Sequence, residues 1–491
     1  MTDFSIPRRM SAGAFIIILL KSIKEYVGIT LIPLAYLLFK SDYQESSVDK
    51  ILGIILGLSA IALITAFFRY YFKKFHIEDD KLIFTSGIAS KQTASIPLSR
   101  VHTLRTRQGL FYRLFELRGI SFDTLATDKQ EVELILDEKD WQTLLNRVNN
   151  GENISHSKQA TVPPPLPSED INWKISNSSI LKGALCQNHL KGFAILFAFL
   201  LAIIDKLDSF DDDASTRMID YISTHAGDTM PSVGQWLCFI AVIYLIVMVL
   251  WVGKTIIRYG DMVIRITGKK LTAESGLITR FTCRFARDKV STISVKQNPL
   301  EKITGCQTIT LSQATNVAVA DNETKGNIRI YGSNLSREML VWWLDDDNYN
   351  LQKSLISSKS GIGLFYRKFI PHLIIALAAG IVIFLEWSPL IALTICPVYI
   401  AVAAWRAISA WKHSSIELKD SYIKINCGNI ACIQRYIKYG DIESVEIKTT
   451  PFTRFSQRVS LRISTNSSIV TVLSLKLQNA NELANRIMNT P

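Results

Sequence analysis

Charge is absent from three long stretches of this 491-residue chain: Ile51–Phe68, Trp236–Gly253 and Trp387–Trp405 contain no Asp, Glu, Lys or Arg. Each approaches the roughly 20 residues that a hydrocarbon layer of about 30 Å requires at a helical rise of about 1.5 Å. Three such runs exclude an ordinary soluble globule, even though 20% of residues are charged and the mean hydropathy is only +0.19. The membrane reading rests on the runs and not on the mean.

Chemistry-bearing patterns are equally scarce. Seven cysteines form no framework. Cys238 and Cys396 fall inside apolar runs, and Cys186, Cys283, Cys306, Cys427 and Cys432 fall in cytoplasmic segments. Cys427 and Cys432 lack a second ligand pair at zinc spacing, so reduced thiols in a reducing compartment are expected. The histidines (His76, His102, His156, His189, His225, His372 and His413) include no pair at i, i+4 and no H-E-x-x-H. His372, at the start of an apolar run, reads as a packed or interfacial side chain. No G-x-S-x-G or Walker loop occurs, and Gly268-Lys269-Lys270 lacks both the upstream glycine and the following Ser/Thr. Asp205–Asp213 lacks the glycine and glutamate of a calcium loop and reads as a solvated acidic loop. No catalytic residue, metal or cofactor is therefore expected, and the chain reads as a non-enzyme.

A weaker apolar run precedes each strong one: Tyr26–Phe39, Gly192–Ile204 and Phe369–Leu385. Polar patches lie at their starts (Lys21, Lys24 and Glu25; His189 and Lys191; Arg367 and Lys368), with a further apolar stretch upstream, as in Ala12–Leu20. An interfacial amphipathic segment that bends into the membrane fits this pattern, with basic side chains reaching the headgroups. Six spans are expected. Lys21 and Lys24 stand where a signal-peptide cleavage site would be, so no cleaved leader is expected.

Basic residues flank one side of the spans: Arg8, Arg9, Lys21 and Lys24, then Arg69, Lys73 and Lys74, Lys254 and Arg258, Arg406 and Lys412. The opposite connections are neutral or acidic, and Asp205–Gln235 holds seven aspartates. The positive-inside rule places both termini and every soluble domain in the cytoplasm. The net charge of +12 then suits an anionic leaflet, where each basic residue near the surface contributes about 1 kcal/mol. The charge hugs the membrane and no nucleic-acid module is present, so nucleic acid is not expected as a partner.

The soluble stretches repeat one pattern three times. Gly87, Gly276 and Gly428 separate two strand-like runs, where a tight turn needs positive φ. Alternation marks Lys81–Thr85, Ala94–Pro97, Lys424–Asn426 and Gln434–Lys438 as strands. Fourteen residues beyond each glycine stands an aliphatic residue (Val101, Val290, Ile442), opening VHTLRTRQ, VSTISVKQ and IESVEIKT. A short basic and apolar loop follows, then GISFDT, QTITLSQA and VSLRIST. Each unit closes with a helix, Asp137–Val148, Ser336–Leu344 or Asn479–Met488, opened by an N-cap residue. Leu144, Leu145 and Val148 share a face, as do Met339, Trp342 and Trp343, and Leu483, Ile487 and Met488.

The expected architecture is an α+β membrane protein with six transmembrane helices in three hairpins, each hairpin followed by a small β-sandwich or barrel and a C-terminal helix. The divisions are a first helix pair in 1–71, a domain in 72–150, a Pro-rich linker in 151–176, a second pair in 177–256, a domain in 257–348, a third pair in 349–410 and a domain in 411–491. Gly53-x-x-x-Gly57 offers a small-residue face for helix packing.

Ser95–Gln108 with Gly109–Gly119, echoed at Val290–Gly305 and Ile442–Phe455, resembles the membrane-anchored class of bacterial pleckstrin-homology-like (PH-like) domains. The three-repeat type of that family, with a helix pair ahead of each domain, covers nearly the whole chain. The resemblance implies about seven strands capped by a helix, and a smaller membrane protein with one such unit as partner. The third copy lacks the Gln and the later Gly of the pattern, so a site there is not carried over.

The residues best suited to face lipid headgroups or a partner are Arg69, Lys73, Lys74, Arg100, Arg105, Arg107 and Arg113 in copy one, with Arg258, Lys269, Lys270, Arg280 and Arg284 in copy two. Three binding-type domains without a catalytic constellation point to an assembly or membrane-sensing platform, in the setting of envelope stress or resistance to membrane-active compounds. The alternative is transport or lipid handling, against which the charge-free even-numbered spans argue.

Overall fold

The computed structural model describes residues 4–39, 45–79, 81–87, 91–97, 103–123, 132–145, 171–189, 192–196, 198, 202, 216, 233–313, 327–349, 352–386, 389–449 and 456–489. The Pro-rich linker, nearly all of the Asp205–Gln235 connection, Arg100 and Val101 lie outside the described residues.

The chain is α+β and its three copies share one strand order, each closing with a helix. Copy one contains β1 (Arg8–Arg9), α1 (Ala14–Phe39), α2 (Glu45–Tyr71), β2 (Lys74–Glu78), β3 (Lys81–Ser86), β4 (Gln92–Pro97), β5 (Thr103–Gln108), α3 (Leu110–Leu114), β6 (Leu117–Asp123), β7 (Val132–Asp137) and α4 (138–145). Copy two contains β8 (Ile171–Lys174), α5 (Asn177–Leu185), α6 (Val233–Tyr259), β9 (Val263–Thr267), β10 (Lys270–Ser275), β11 (Arg280–Ala286), β12 (Val290–Gln297), α7 (Pro299–Ile303), β13 (Gln307–Gln313), β14 (Asn327–Ser333) and α8 (Ser336–Leu344). Copy three contains β15 (Ile356–Lys359), α9 (Gly363–Glu386), α10 (Pro389–Lys412), β16 (Ser415–Leu418), β17 (Tyr422–Cys427), β18 (Cys432–Lys438), β19 (Ile442–Lys448), β20 (Arg458–Thr465), β21 (Ile469–Lys476) and α11 (Leu477–Asn489).

Three helical stretches are long and apolar enough to cross a membrane: Ile240–Tyr259, Gly363–Leu385 and Ala392–Lys412. They correspond to the fourth, fifth and sixth expected spans. Ile55–Tyr71, in the second, is apolar but shorter. The third expected span lies largely outside the described residues. The first lies in α1, which runs unbroken from Ala14 to Phe39. Lys21 and Lys24 therefore sit on one continuous helix with the expected span, with no break between them. Copy two differs: α5 ends at Leu185, ahead of a separate helical stretch at 192–196.

Chain contacts define two compact units. Unit one comprises Met1–Glu169, Gln187–Met262 and Thr272–Arg284; unit two comprises Asp170–Cys186, Val263–Leu271 and Phe285–Pro491. In unit one a four-stranded sheet has the order β1-β2-β3-β4, and β5 pairs antiparallel with β6, and β6 with β7. The two sheets and α4 enclose a core of Phe75, Leu82, Phe84, Ile120, Leu134, Leu136 and Leu144. Met10, Ala14, Ile17 and Ile18, from the start of α1 and just before it, extend this core towards the helix pair. In unit two, β15 to β18 form the equivalent four strands and β19-β20-β21 the equivalent three. Their facing sides bury Ile416, Ile423, Ile437, Leu461, Ile463 and Leu475 beneath Leu483 of α11. Alternate strand residues point to one face, so period-two apolar patterning becomes a two-sheet core.

Gly87, Gly276 and Gly428 have φ of 115°, 108° and 133°, as their place in a tight turn requires. The strand ahead of each hairpin (β1, β8, β15) has no counterpart in the sequence reading. It pairs with the first strand after the hairpin, as Arg8 with Phe75, Ile171 with Ile266 and Ile356 with Leu418. In copies one and three the described helix pair thus falls, along the chain, between two neighbouring strands of one sheet.

Two expected N-caps are corrected. Ser336 is the first helical residue of α8, whose N-cap position holds Leu335 without a side-chain hydrogen bond. Asn479 lies within the first turn of α11, which begins at Leu477. Asp137 does cap α4, its Oδ1 accepting from Asp140 N at 2.8 Å. Met488, expected to share a face with Leu483 and Ile487, is exposed whereas those two are buried.

Asp441 ends the turn that leads into β19. Burial raises its pKa to about 6, with Asp288 adding and Lys438 opposing. The folded state therefore holds this proton more tightly than the unfolded chain, whose value is about 3.9. The ionised group weakens the fold above pH 6, and the penalty disappears as pH falls from 6 towards 4. Asp441→Asn is expected to melt above the parent at pH 7.5, with the difference shrinking as pH falls and closing below about pH 4, measured by thermal unfolding in detergent.

Candidate membrane-facing site

The first part of the site lies where the first helix pair meets the sheets of unit one. A cavity of about 310 Å3 is lined by Met10, Ile18, Lys21, Glu25, Arg69, Lys73, Glu133 and Ile135. Three cations thus share it with two carboxylates. Lys21 Nζ donates to both oxygens of Glu133, at 2.7 and 2.6 Å. Arg69 donates to Glu25 at 2.8 Å. Burial pushes the Lys73 ammonium below the ordinary lysine range; Glu133 opposes this, and Lys21 and Arg69 add to it. Lys74 does not join the cavity; it is exposed on β2, paired with Arg9.

Glu133 also accepts from the Tyr112 hydroxyl at 3.3 Å. Burial and the Glu133 charge raise the Tyr112 pKa. The carboxylate on β7 therefore ties Lys21 of the membrane helix to α3. Sequence reading missed it because a lone Glu on a strand has no local signature.

The second part is the tip formed by α3. The expected basic and apolar loop is a short helix in copies one and two, and the third copy's equivalent lies outside the described residues. Leu110, Phe111, Leu114 and Phe115 are exposed around it, with Leu114 at 69%. Arg113 is exposed on the same helix. In unit one the turn after β10 packs on the end of α6, with Gly276 N donating to Gly260 O at 2.8 Å and Leu277 N to Ile257 O at 2.9 Å. A Cβ on Gly109 would stand 3.6 Å from Thr279 of that turn, so the α3 tip lies beside the end of a membrane-length helix. Leu277, Ile278 and Phe281 add exposed apolar surface. Arg107 stands 5.8 Å from the Phe281 ring, and Arg258 stands 5.6 Å from the Tyr259 ring. Arg280 and Arg284 are exposed on β11, and Arg105 is half-buried on β5.

Unit two repeats the tip in α7, where Leu300 and Ile303 are exposed, Ile303 at 83%. Its base is rigid. Glu301, buried, accepts from Asn298 N at 2.7 Å and from the Thr308 hydroxyl at 2.6 Å. Lys269 and Lys270 belong to unit two, at the β9–β10 turn where Arg287 N donates to Lys269 O at 2.8 Å. No described atom lies within 4 Å of a Cβ placed on Gly53 or Gly57, so that face makes no close packing among the described residues. His372 Nδ1 and the Tyr399 hydroxyl, 2.8 Å apart, join α9 to α10. All seven cysteines are free.

Sheets of this order, repeated three times beside apolar helices, define a membrane-associated protein with PH-like domains. The bacterial PH domain family matches residues 15–151, 215–334 and 368–490, and the chain belongs to that family. It is also similar to the UPF0699 transmembrane protein YdbT of Bacillus subtilis (strain 168), at 20% identity over 323 residues. That match spans 63% of this chain and 63% of the relative's length.

Proposed function

We propose that this protein is a multi-pass, non-enzymatic platform of the bacterial cytoplasmic membrane. Six spans form three hairpins, with both termini and all three PH-like domains on the cytoplasmic side. The domains press their basic and apolar tips against anionic headgroups and present their sheets to protein partners, among them a smaller membrane protein with one PH-like unit. Envelope stress or resistance to membrane-active compounds is the setting proposed for it.

The α3 tip carries this reading. Contiguous exposed Leu110, Phe111 and Leu114, interleaved with arginine beside the end of α6, match an interfacial surface in which apolar side chains enter the acyl boundary and cations meet phosphate. Soluble surfaces seldom expose so much contiguous apolar area without a partner.

A photoreactive amino acid at Leu114 tests the reading in nanodiscs with and without anionic lipid. Lipid adducts at Leu114 are expected to exceed those at Glu78, near the turn of the β2–β3 hairpin away from α2, by at least fivefold. Charge reversal at Arg107, Arg113 and Arg280 together is expected to abolish the preference for anionic lipid. Equal labelling at Leu114 and Glu78 would sink the docking.

A further inference from the structure

The repeats are joined by strand edges. Within unit one, β5 of copy one lies next to β11 of copy two. Within unit two, β12 of copy two pairs antiparallel with β18 of copy three, from Thr292 opposite Ile437 to Gln297 opposite Cys432. The repeat alignment makes β4, β11 and β18 equivalent, since each follows the turn glycine. It likewise makes β5, β12 and β19 equivalent. Each junction therefore joins a strand of the second type to the next copy's strand of the first type. Among the described residues two of these strands end their sheets: β4 the sheet β1-β2-β3-β4, and β19 the sheet β19-β20-β21.

We propose that β4 of one copy of this chain pairs with β19 of a second copy, repeating between chains the junction already used twice within one. This deepens the assembly reading. It can fail while the tips still bind lipid, because adducts at Leu114 report separately.

Backbone geometry supports the match. β12 and β19 carry the same irregularity, between Val290 and Thr292 and between Ile442 and Ser444. A strand built like β12 can therefore receive the same kind of neighbour. β3 and β17 hold β4 and β18 in one register, with Leu82 opposite Ile96 and Ile423 opposite Ile437. Transferring the observed junction places Ser444 opposite Ile96, Val445 opposite Ser95, Glu446 opposite Ala94, Ile447 opposite Thr93 and Lys448 opposite Gln92. No like charges face one another, and β4 (QTASIP) carries no charge at all. An uncharged edge strand is an open template, because natural sheets usually place charge on edges to prevent pairing.

Burial points the same way. In β12, which has β18 beside it, Val290, Thr292, Ile293 and Val295 are buried, whereas the equivalent Ile442, Ser444, Val445 and Ile447 of β19 are only half-buried. Thr93 and Ser95 of β4 are exposed. A second chain's strand would cover these positions and pair the outward N–H and C=O groups of both edges. The contact joins different surfaces of the two chains. Reciprocal pairing closes the assembly at two copies, and pairing that is not reciprocal extends it as a row or a ring.

Full-length Thr93→Cys and Ile447→Cys chains, carrying different tags, are co-reconstituted in lipid and oxidised. Each chain bears only one of the two substitutions, so a disulfide carrying both tags joins two chains. The expected yield is at least tenfold above that of parent chains and above that of Thr93→Cys with Glu446→Cys, in which a one-residue slip turns the side chains to opposite faces. A chain carrying both substitutions is expected to give disulfide-linked dimers or larger oligomers. No mixed-tag product, equal yields from the shifted pair, or capture of the Ile447→Cys edge by a different protein in native membranes would overturn the proposal.

Discussion

Gly332→Ala is expected to destabilise unit two by about 3 kcal/mol or more. Gly332 holds φ at +66°, and a Cβ there would stand 1.8 Å from Ser179 O and 2.5 Å from Ser179 C. Both are backbone atoms of α5, so no rotamer change relieves the clash. The left-handed conformation costs an alanine roughly 1–2 kcal/mol, and overpacking adds about 1–3 kcal/mol. The approach is mutual: a Cβ on Gly183 would meet Gly332 N at 2.7 Å. Relief requires α5 to lift from β14, which also strains the hydrogen bond from Asn298 Nδ2 to Cys186 O at 3.2 Å. Thermal unfolding of the full chain in detergent reads the loss, with Gly57→Ala as a control expected to change nothing. A Gly332→Ala protein that melts with the parent would mean that α5 does not rest on β14.

Trp343→Ala is expected to cost about 3–5 kcal/mol, the range for removing a fully buried large aromatic side chain. Trp343 is fully buried on α8, and its indole N–H donates to Val290 O at 2.7 Å. Lys438 of β18 stands with Nζ 4.7 Å from the ring, its ammonium pushed below the ordinary range first by burial. Trp343 therefore holds the helix of copy two against its own β12 and touches the strand that copy three pairs with it. Trp343→Phe keeps most of the apolar volume but leaves the Val290 carbonyl without this donor, for a smaller loss of about 1–3 kcal/mol. Hydrogen exchange gives the sharper readout. Amides of β18 from Ile433 to Ile437 should exchange faster in Trp343→Ala, because the β12–β18 junction loses its support. Unchanged exchange there, with a lowered melting point, would confine Trp343 to its own domain.

Much of the copy architecture was legible because its signals are local. The apolar runs of α6, α9 and α10 identify themselves by length and lack of charge. The turn glycines announce a positive φ that other residues rarely adopt, and VSTISVKQ marks β12 from Val290 to Gln297 without error. Less was legible at element ends. Leu335 rather than Ser336 occupies the cap of α8, since helix ends are set by docking as much as by capping chemistry. β1 has only two residues, too few for any periodicity to register. The site was half legible. Composition offered Arg107, Arg113, Arg258 and Arg280 as candidates, whereas nothing in the sequence pointed to Glu133 and Tyr112, which meet only in the fold.

By itself the sequence determined the membrane character, the threefold repeat and the sheet-forming segments, because hydropathy, periodicity and turn chemistry act over a few neighbouring residues. Only the tertiary structure decided which strand lies beside which across the repeats, and which side chains meet around Glu133. Strand edges are made of backbone N–H and C=O groups that every residue except proline carries alike. Nothing in β12 names β18 as its neighbour until the two sheets of each copy have packed and brought their edges together.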